Sequence, residues 1–375
     1  GFDGDAYARR LADCGVDAVA FFAKCHYGHS YYDTKVGYRH PRLKMDMLRS
    51  LTEGCRKHDV GVVAYYSVFL DTAAVRQHPE WRLQATSNAT DAGFDSGNYL
   101  PVCVNSAYGE QLLVPQSIEV VTQYDVDELF YDTMSGFRPC YCEKCRELFG
   151  KPIPENSDDP NWLEYVRWYA ERFDSFFADV ARQIHEANPD IAVTFNWKWG
   201  IREPTPPPPH IDRLAADLIP TGTVASMQCR YFAGTDMPFD YMTGRVLHGL
   251  GDWNSNTRET ILYTAAATVA NGASFYIIDR QLPDGRLEER SYAMMRDVFG
   301  FLQERRHVLE NTAHVPETAV LLSYDHLMGD SMQFFPENDV RKERAEPYEG
   351  GARKFMRRAG DYTGVSEANV LRRRA

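Results

Sequence analysis

Asp127-Glu128-Leu129-Phe130-Tyr131-Asp132-Thr133-Met134 reads as an apolar β-strand that ends on a carboxylate. Parallel α/β barrels build their active sites from groups carried at the C-terminal ends of their strands. That placement makes Asp132 a candidate catalytic group. Close behind it comes Cys140-Tyr141-Cys142-Glu143-Lys144-Cys145, three thiols at metal-ligand spacing.

Outward from this stretch the chain alternates between strand and helix patterns. Strands are expected over 16–23, 61–67, 191–197, 223–228, 242–247 and 273–279, and helices over 6–13, 43–58, 108–123, 162–187, 257–270 and 288–309. Within 162–187, Phe173, Phe177, Val180 and Ile184 fall on one helical face. With the Asp132 strand the count is seven, and βα alternation implies a parallel sheet with right-handed crossovers. The expected fold is therefore an α/β (β/α)8 TIM barrel over 1–312, with its first strand expected upstream of residue 1. Residues 317–324 read as one more strand. It would begin a second α/β domain, or a partly disordered tail from about 325, so 313–375 is set apart.

A net charge of −12 disfavours nucleic acid and other polyanionic partners, which need clustered Lys and Arg. No apolar run approaches the roughly 20 residues of a membrane helix, so no membrane partner is expected. The 22 Tyr and 6 Trp suit a carbohydrate partner, because flat rings stack on the apolar faces of sugars, although large cores use aromatics as well. Eight cysteines in a chain too large to need disulfides point to metal binding in a reducing, cytoplasmic compartment. Homo-oligomerisation is left open.

A carboxylate that attacks an anomeric carbon must be ionised, rigidly held and flanked by a second acid. A strand end supplies the rigidity, but an Asp capping a nearby helix would sit there equally well. A set of motifs favours the catalytic reading. Lys24-Cys25-His26-Tyr27-Gly28 resembles the Lys-His-His-Asp-Gly motif of retaining α-L-fucosidases of glycoside hydrolase family 29. Tyr65-Tyr66-Ser67 resembles their Tyr-Tyr-Ser strand end, and Phe130-Tyr131-Asp132 their nucleophile strand. Asp252-Trp253-Asn254 falls where they carry Trp-Gly-Tyr-Asn, and Ala270-Asn271-Gly272 through Pro283-Asp284-Gly285 resembles their last barrel strand and its Pro-x-x-Asp-Gly loop. The overall resemblance is to fucosidase-related proteins of the family 151 type, known as hypothetical glycosyl hydrolases.

The resemblance implies a retaining exo-glycosidase with Asp132 as nucleophile and Asp240 as acid/base. Asp252 and Glu203 are rivals for the second role. It assigns His26 and Lys24 to substrate binding. Cys25 and Tyr27 depart from the motif and alter the sugar-contacting set. Trp81, Trp197, Trp199 and Trp253 are candidate stacking platforms, and Tyr66, Asn196 and Arg245 candidate hydrogen-bonding groups. Asp279, at the end of the last barrel strand, either orients a sugar hydroxyl or pairs with Arg280. A β-galactosidase-like or other exo-glycosidase and an inactive sugar-binding barrel are the alternatives.

Zinc in a structural site takes four ligands, and Cys103 is the best fourth for Cys140, Cys142 and Cys145. An upstream Cys with Cys-x-Cys-x-x-Cys resembles the zinc site of family 42 β-galactosidases. Four filled positions imply a structural zinc and no cofactor for catalysis, and the alternative is free thiols. Cys14, Cys55 and Cys229 are expected in the core.

Overall fold

The computed structural model describes residues 2–84, 99–132, 140–155, 158–196, 198–200, 205–217, 222–246, 255–282, 284–310, 312, 315, 318–322 and 362–366. Its main sheet contains β1 (Ala18–Lys24), the two-residue strands β2 (His29–Ser30) and β3 (Tyr38–Arg39), β4 (Gly61–Ser67), β5 (Glu128–Asp132), β6 (Ala192–Asn196), β7 (Arg213–Asp217), β8 (Phe239–Gly244) and β9 (Ser274–Ile278). The strand order is β3-β2-β1-β4-β5-β6-β7-β8-β9. From β1 through β4 to β9 every neighbouring pair is parallel, whereas β2 pairs antiparallel with β1 and β3 runs parallel to β2. The helices are α1 (Gly4–Asp13), α2 (Met47–Lys57), α3 (Thr72–Gln77), α4 (Val114–Gln123), α5 (Glu143–Phe149), α6 (Trp162–Ala187), α7 (Gly222–Ala233), α8 (Arg258–Val269), α9 (Glu289–Glu304) and α10 (Arg306–Leu309).

Acidic side chains start several helices by accepting from otherwise unpaired backbone N–H groups. Asp3 accepts from Ala6 N at 3.0 Å and Asp46 from Arg49 N at 2.8 Å. Along β5 the pleat sends alternate residues to opposite faces. Phe130 joins Val63, Ala215 and Met242 in a small apolar cluster inside the barrel, while Leu129 and Tyr131 join the large core under the helices. Asp132, two residues beyond Phe130, therefore faces the barrel mouth.

The expected strand over 223–228 is instead part of α7, and the strand of that unit is β7. Ala225, Gln228, Cys229 and Phe232 are buried at i, i+3, i+4 and i+7, a helical stripe that outweighs the local run of apolar residues. β7 was hidden because its inward face carries Arg213.

Among the described residues no ladder joins β9 to β1. The first and last barrel helices nevertheless touch: Arg10 of α1 pairs with Glu289 of α9 at 2.6 Å, and Gln303 donates to Gly15 O at 3.1 Å. β10 (Thr318–Leu322) and β11 (Tyr362–Ser366) pair in parallel as a separate two-stranded sheet. The expected strand over 317–324 corresponds to β10. Apart from β11, the tail expected to be disordered lies outside the described residues. No described helix is long and apolar enough to cross a membrane.

Candidate active site

Asp132 closes β5 at the C-terminal face, and both of its oxygens are held. The Tyr65 hydroxyl donates to Oδ2, and Asn196 Nδ2, at the end of β6, donates to Oδ1 at 3.0 Å. Ser67, the register partner of Asp132 on β4, accepts from His26 Nδ1 at 2.9 Å. The Ser67 hydroxyl hydrogen is committed to Leu70 O at 2.9 Å, so Nδ1 carries the imidazole proton and Nε2 is left as an acceptor. Burial holds the His26 imidazole below its ordinary range, with Asp132 opposing and Lys24 adding to the effect.

Aromatic rings wall this group. Phe22 packs on Tyr65 at 4.0 Å between centroids, Tyr99 meets His26 edge-on at 5.3 Å, and Tyr27 lies 4.7 Å from Tyr99. Phe22 and Tyr27 are each 41% exposed, so the wall presents apolar surface to solvent rather than only filling the core. On β8 and β9, Arg245 and Asp279 directly follow the strand ends. Arg245 Nε donates to Asp279 Oδ1, and its Nη1 reaches Ser255 Oγ at 2.8 Å and Glu288 at 3.2 Å. Asp279 Oδ2 is buried with no hydrogen-bond partner among the described residues.

The fold thus brings His26, Asn196 and Asp132 together, and Arg245 with Asp279 occupies the same face. Several other candidates are placed elsewhere. Tyr66 points out of the barrel wall, fully buried, with its hydroxyl 2.9 Å from that of Tyr32. Its neighbour Tyr65 takes the inward position. Lys24 is fully buried, with Nζ 2.6 Å from Asp71 and 2.6 Å from the Tyr108 hydroxyl. Trp81 is buried with its ring stacked 3.8 Å from His78, and Trp199 is buried with Nε1 donating to Asp174 at 3.1 Å. Trp197, Glu203, Asp252 and Trp253 lie outside the described residues.

The largest departure concerns Asp240. It is the second residue of β8, in register with Ala215 and Ser274, and so lies at the N-terminal end of the barrel. There it pairs with Arg213, which also approaches Glu128 at 3.9 Å. Glu128 opens β5 four residues before Asp132, about 13 Å along the strand. The structure therefore does not bring Asp240 to Asp132. A close carboxyl pair, about 5–5.5 Å in retaining enzymes, is not formed by these two.

Burial raises the carboxyl of Asp240 and pushes that of Glu128 from an ordinary 4.5 to about 7, with Arg213 opposing in both cases. The raised carboxyls thus sit at the barrel floor, where desolvation is the main cause and the charge of Asp240 adds to it for Glu128. Folded Glu128 holds its proton more tightly than the unfolded chain does. Its favourable contribution is complete below pH 4.5 and is lost as pH rises through about 7, roughly 3 kcal/mol in all. Unfolding free energies of Glu128→Gln measured from pH 4 to 8.5 should lose that part of the downward slope, and a slope equal to the parent's would count against it.

Beside the site, the Sγ atoms of Cys103, Cys140, Cys142 and Cys145 all lie within 4.8 Å of one another, and all four residues are buried. Asn105 braces them, its backbone N–H donating to Cys103 at 3.4 Å and its side-chain amide to Cys145 at 3.3 Å. The neighbouring thiols hold Cys142 well below the ordinary thiol range. Such a set of four buried sulfurs could hold one metal ion. Cys14, Cys55 and Cys229 are buried in the core, as expected.

Parallel strands with connecting helices define a fold of the TIM-barrel type, with an acid at the C-terminal end of β5. Residues 3–133, ending one residue past Asp132, match the family model described as hypothetical glycosyl hydrolase 6. Among solved structures the chain resembles α-L-fucosidase isoenzyme 2 from Paenibacillus thiaminolyticus, at 24% identity and a TM-score of 0.79, over 98% of this chain and 55% of that one. It also resembles a β-galactosidase from the Antarctic haloarchaeon Halorubrum lacusprofundi, at 17% identity and a TM-score of 0.69, over 97% of this chain and 64% of that one. An α-L-fucosidase from Vibrio sp. strain EJY3 matches at 16% identity and a TM-score of 0.52, over 84% of this chain and 46% of that one. These likenesses are of fold, and this chain spans only about half to two thirds of the length of each. No curated protein sequence matches.

Proposed function

We propose that the protein is a glycoside hydrolase that removes a terminal sugar through a covalent glycosyl-enzyme, with Asp132 as nucleophile. The observation that carries this reading is the doubly anchored Asp132 carboxylate at the barrel mouth, next to His26 and an aromatic wall. Tyr65 and Asn196 fix the carboxylate's orientation before substrate arrives, which lowers the entropic part of the barrier. In the reaction one Asp132 oxygen bonds to the anomeric carbon as the glycosidic C–O bond breaks. A second acid protonates the leaving oxygen, then takes a proton from the water that releases the sugar. With Asp240 on the barrel floor, that role falls to Asp252 or Glu203, which follow β8 and β6 in sequence.

Substrate preference is read as α-L-fucosidase-like, with a β-galactoside as the other sugar class suggested by the solved structures that share the fold. The four-cysteine cluster is read as a structural zinc site. Zinc–sulfur bonds of about 2.3 Å in a tetrahedron give sulfur–sulfur edges of about 3.8 Å. The cluster has Cys103–Cys145 at 3.5 Å and Cys103–Cys142 at 3.8 Å. All four ligand positions come from protein, so the metal would hold chain segments together and leave water and sugar uncoordinated.

A panel of nitrophenyl glycosides, followed by a 2-fluoro sugar of the best configuration, tests the proposal. A stoichiometric adduct on the peptide bearing Asp132 is expected. Hydrolysis with the adduct on another carboxylate would displace Asp132, and binding without hydrolysis across the panel would favour the inactive sugar-binding barrel.

A further inference from the structure

The Lys24–Asp71 pair is absent from the working site yet lies directly behind it. Both side chains are fully buried, and Tyr108 completes a triangle, its hydroxyl 2.6 Å from Lys24 Nζ and donating to Asp71 Oδ2 at 3.1 Å. Replacing a buried ion pair with apolar groups is often neutral or stabilising, so its presence calls for a geometric role.

The surroundings supply one. Lys24 ends β1, two residues before His26. Asp71 Oδ1 caps α3 by accepting from Ala74 N at 2.9 Å, and Ala73 N donates to Tyr27 O at 2.9 Å. Gly28, at φ +82°, lies so close that a Cβ there would fall 1.9 Å from Asp71 Oδ1. The segment from Ser67 to Asp71 thus grips the His26 loop twice, through Ser67 on the ring and Asp71 on the lysine. On its other side Tyr108 meets Trp81 edge-on at 5.9 Å, and the Trp81 carbonyl accepts from Cys103 N at 2.8 Å.

We infer that Lys24, Asp71 and Tyr108 are positioning residues: they hold the His26 ring on Ser67 beside Asp132 and tie that placement to the four-cysteine cluster. The kinetic part of this inference rests on the glycosidase reading, whereas the placement of His26 does not. The groups facing His26 are Asp132, Ser67, Lys24 and the rings of Phe22, Tyr65 and Tyr99.

The test uses the full chain with Tyr108→Phe and, to avoid stranding one buried charge, the double variant Lys24→Met/Asp71→Asn, in which Asn can still cap α3. NMR titration of the His26 ring is followed alongside KM and kcat on the best glycoside. The expected result is a His26 titration moved toward the ordinary histidine range in both variants, with KM raised about tenfold and kcat changed less. Variants whose His26 titration and KM match the parent overturn the inference. So does a loss of global stability without a change at His26, because that is what a merely structural pair would give. If the parent hydrolyses no glycoside, the functional reading fails, and the His26 titration alone still decides this one.

Discussion

Asp132→Asn is expected to lower turnover by at least about 10^4-fold, the size of loss that follows removal of a nucleophile working within a concerted group, while the fold and sugar affinity persist. Asn keeps the shape of the side chain and can still meet Tyr65 and Asn196, so the loss would report chemistry rather than collapse. Asp132→Ala gives a sharper readout, because it leaves room for azide. Azide attacking from the vacated face should restore turnover and yield a glycosyl azide of configuration opposite to the substrate. The same anion added to Asp252→Ala or Glu203→Ala should give a retained configuration with whichever residue is the acid/base, since the covalent intermediate still forms there. Unchanged turnover in Asp132→Asn would sink the assignment, and so would a rescued product of retained configuration.

The second large effect belongs to the cysteine cluster. Protein purified under reducing conditions should carry a single zinc per chain, and Cys103→Ser or Cys145→Ser should lose it. Loss of the metal is expected to cost on the order of 4 kcal/mol of unfolding free energy, the class of effect associated with lost metal sites. The reason is connective: Cys103 sits in the segment after β4, whereas Cys140, Cys142 and Cys145 sit in and before α5. One ion would replace loop packing between segments roughly 40 residues apart. Urea midpoints and metal content should fall together. Metal-free protein with an unchanged midpoint would leave the cluster as buried thiols.

The legible parts of the molecule were those with a strong local signal. Glu128–Asp132 could be read as a strand with its terminal acid because five residues carry both the apolar run and its end. The three-cysteine spacing named three members of the cluster, and Cys103, taken from the sequence as the best fourth, joins them in the structure. Harder features failed for identifiable reasons. Strands buried on both faces show no alternation, so nothing in Tyr65-Tyr66-Ser67 says which tyrosine faces inward. The structure assigns that position to Tyr65, and Tyr66 lies in the wall. Asp240 looked like a site acid by its position between motifs, but the expected strand over 242–247 and the observed β8 both put it on the N-terminal side of the strand, at the barrel floor and not the mouth. Arg213 misled as well, since a half-buried charge on the inward face of β7 makes the strand resemble a loop.

The contact between α1 and α9 has a consequence for how the chain is made. Arg10 and Glu289 are 279 residues apart in sequence. At a synthesis rate of about 5–20 residues per second, α1 would wait roughly 15–55 s for its final neighbour. During that interval it depends on α2, emerging just behind it. The two helices meet where Gly54 faces Gly4, so tightly that a Cβ on Gly54 would lie 2.4 Å from the Gly4 carbonyl oxygen. A larger residue at either glycine would therefore weigh most on the nascent chain, before α9 exists to hold α1 in place.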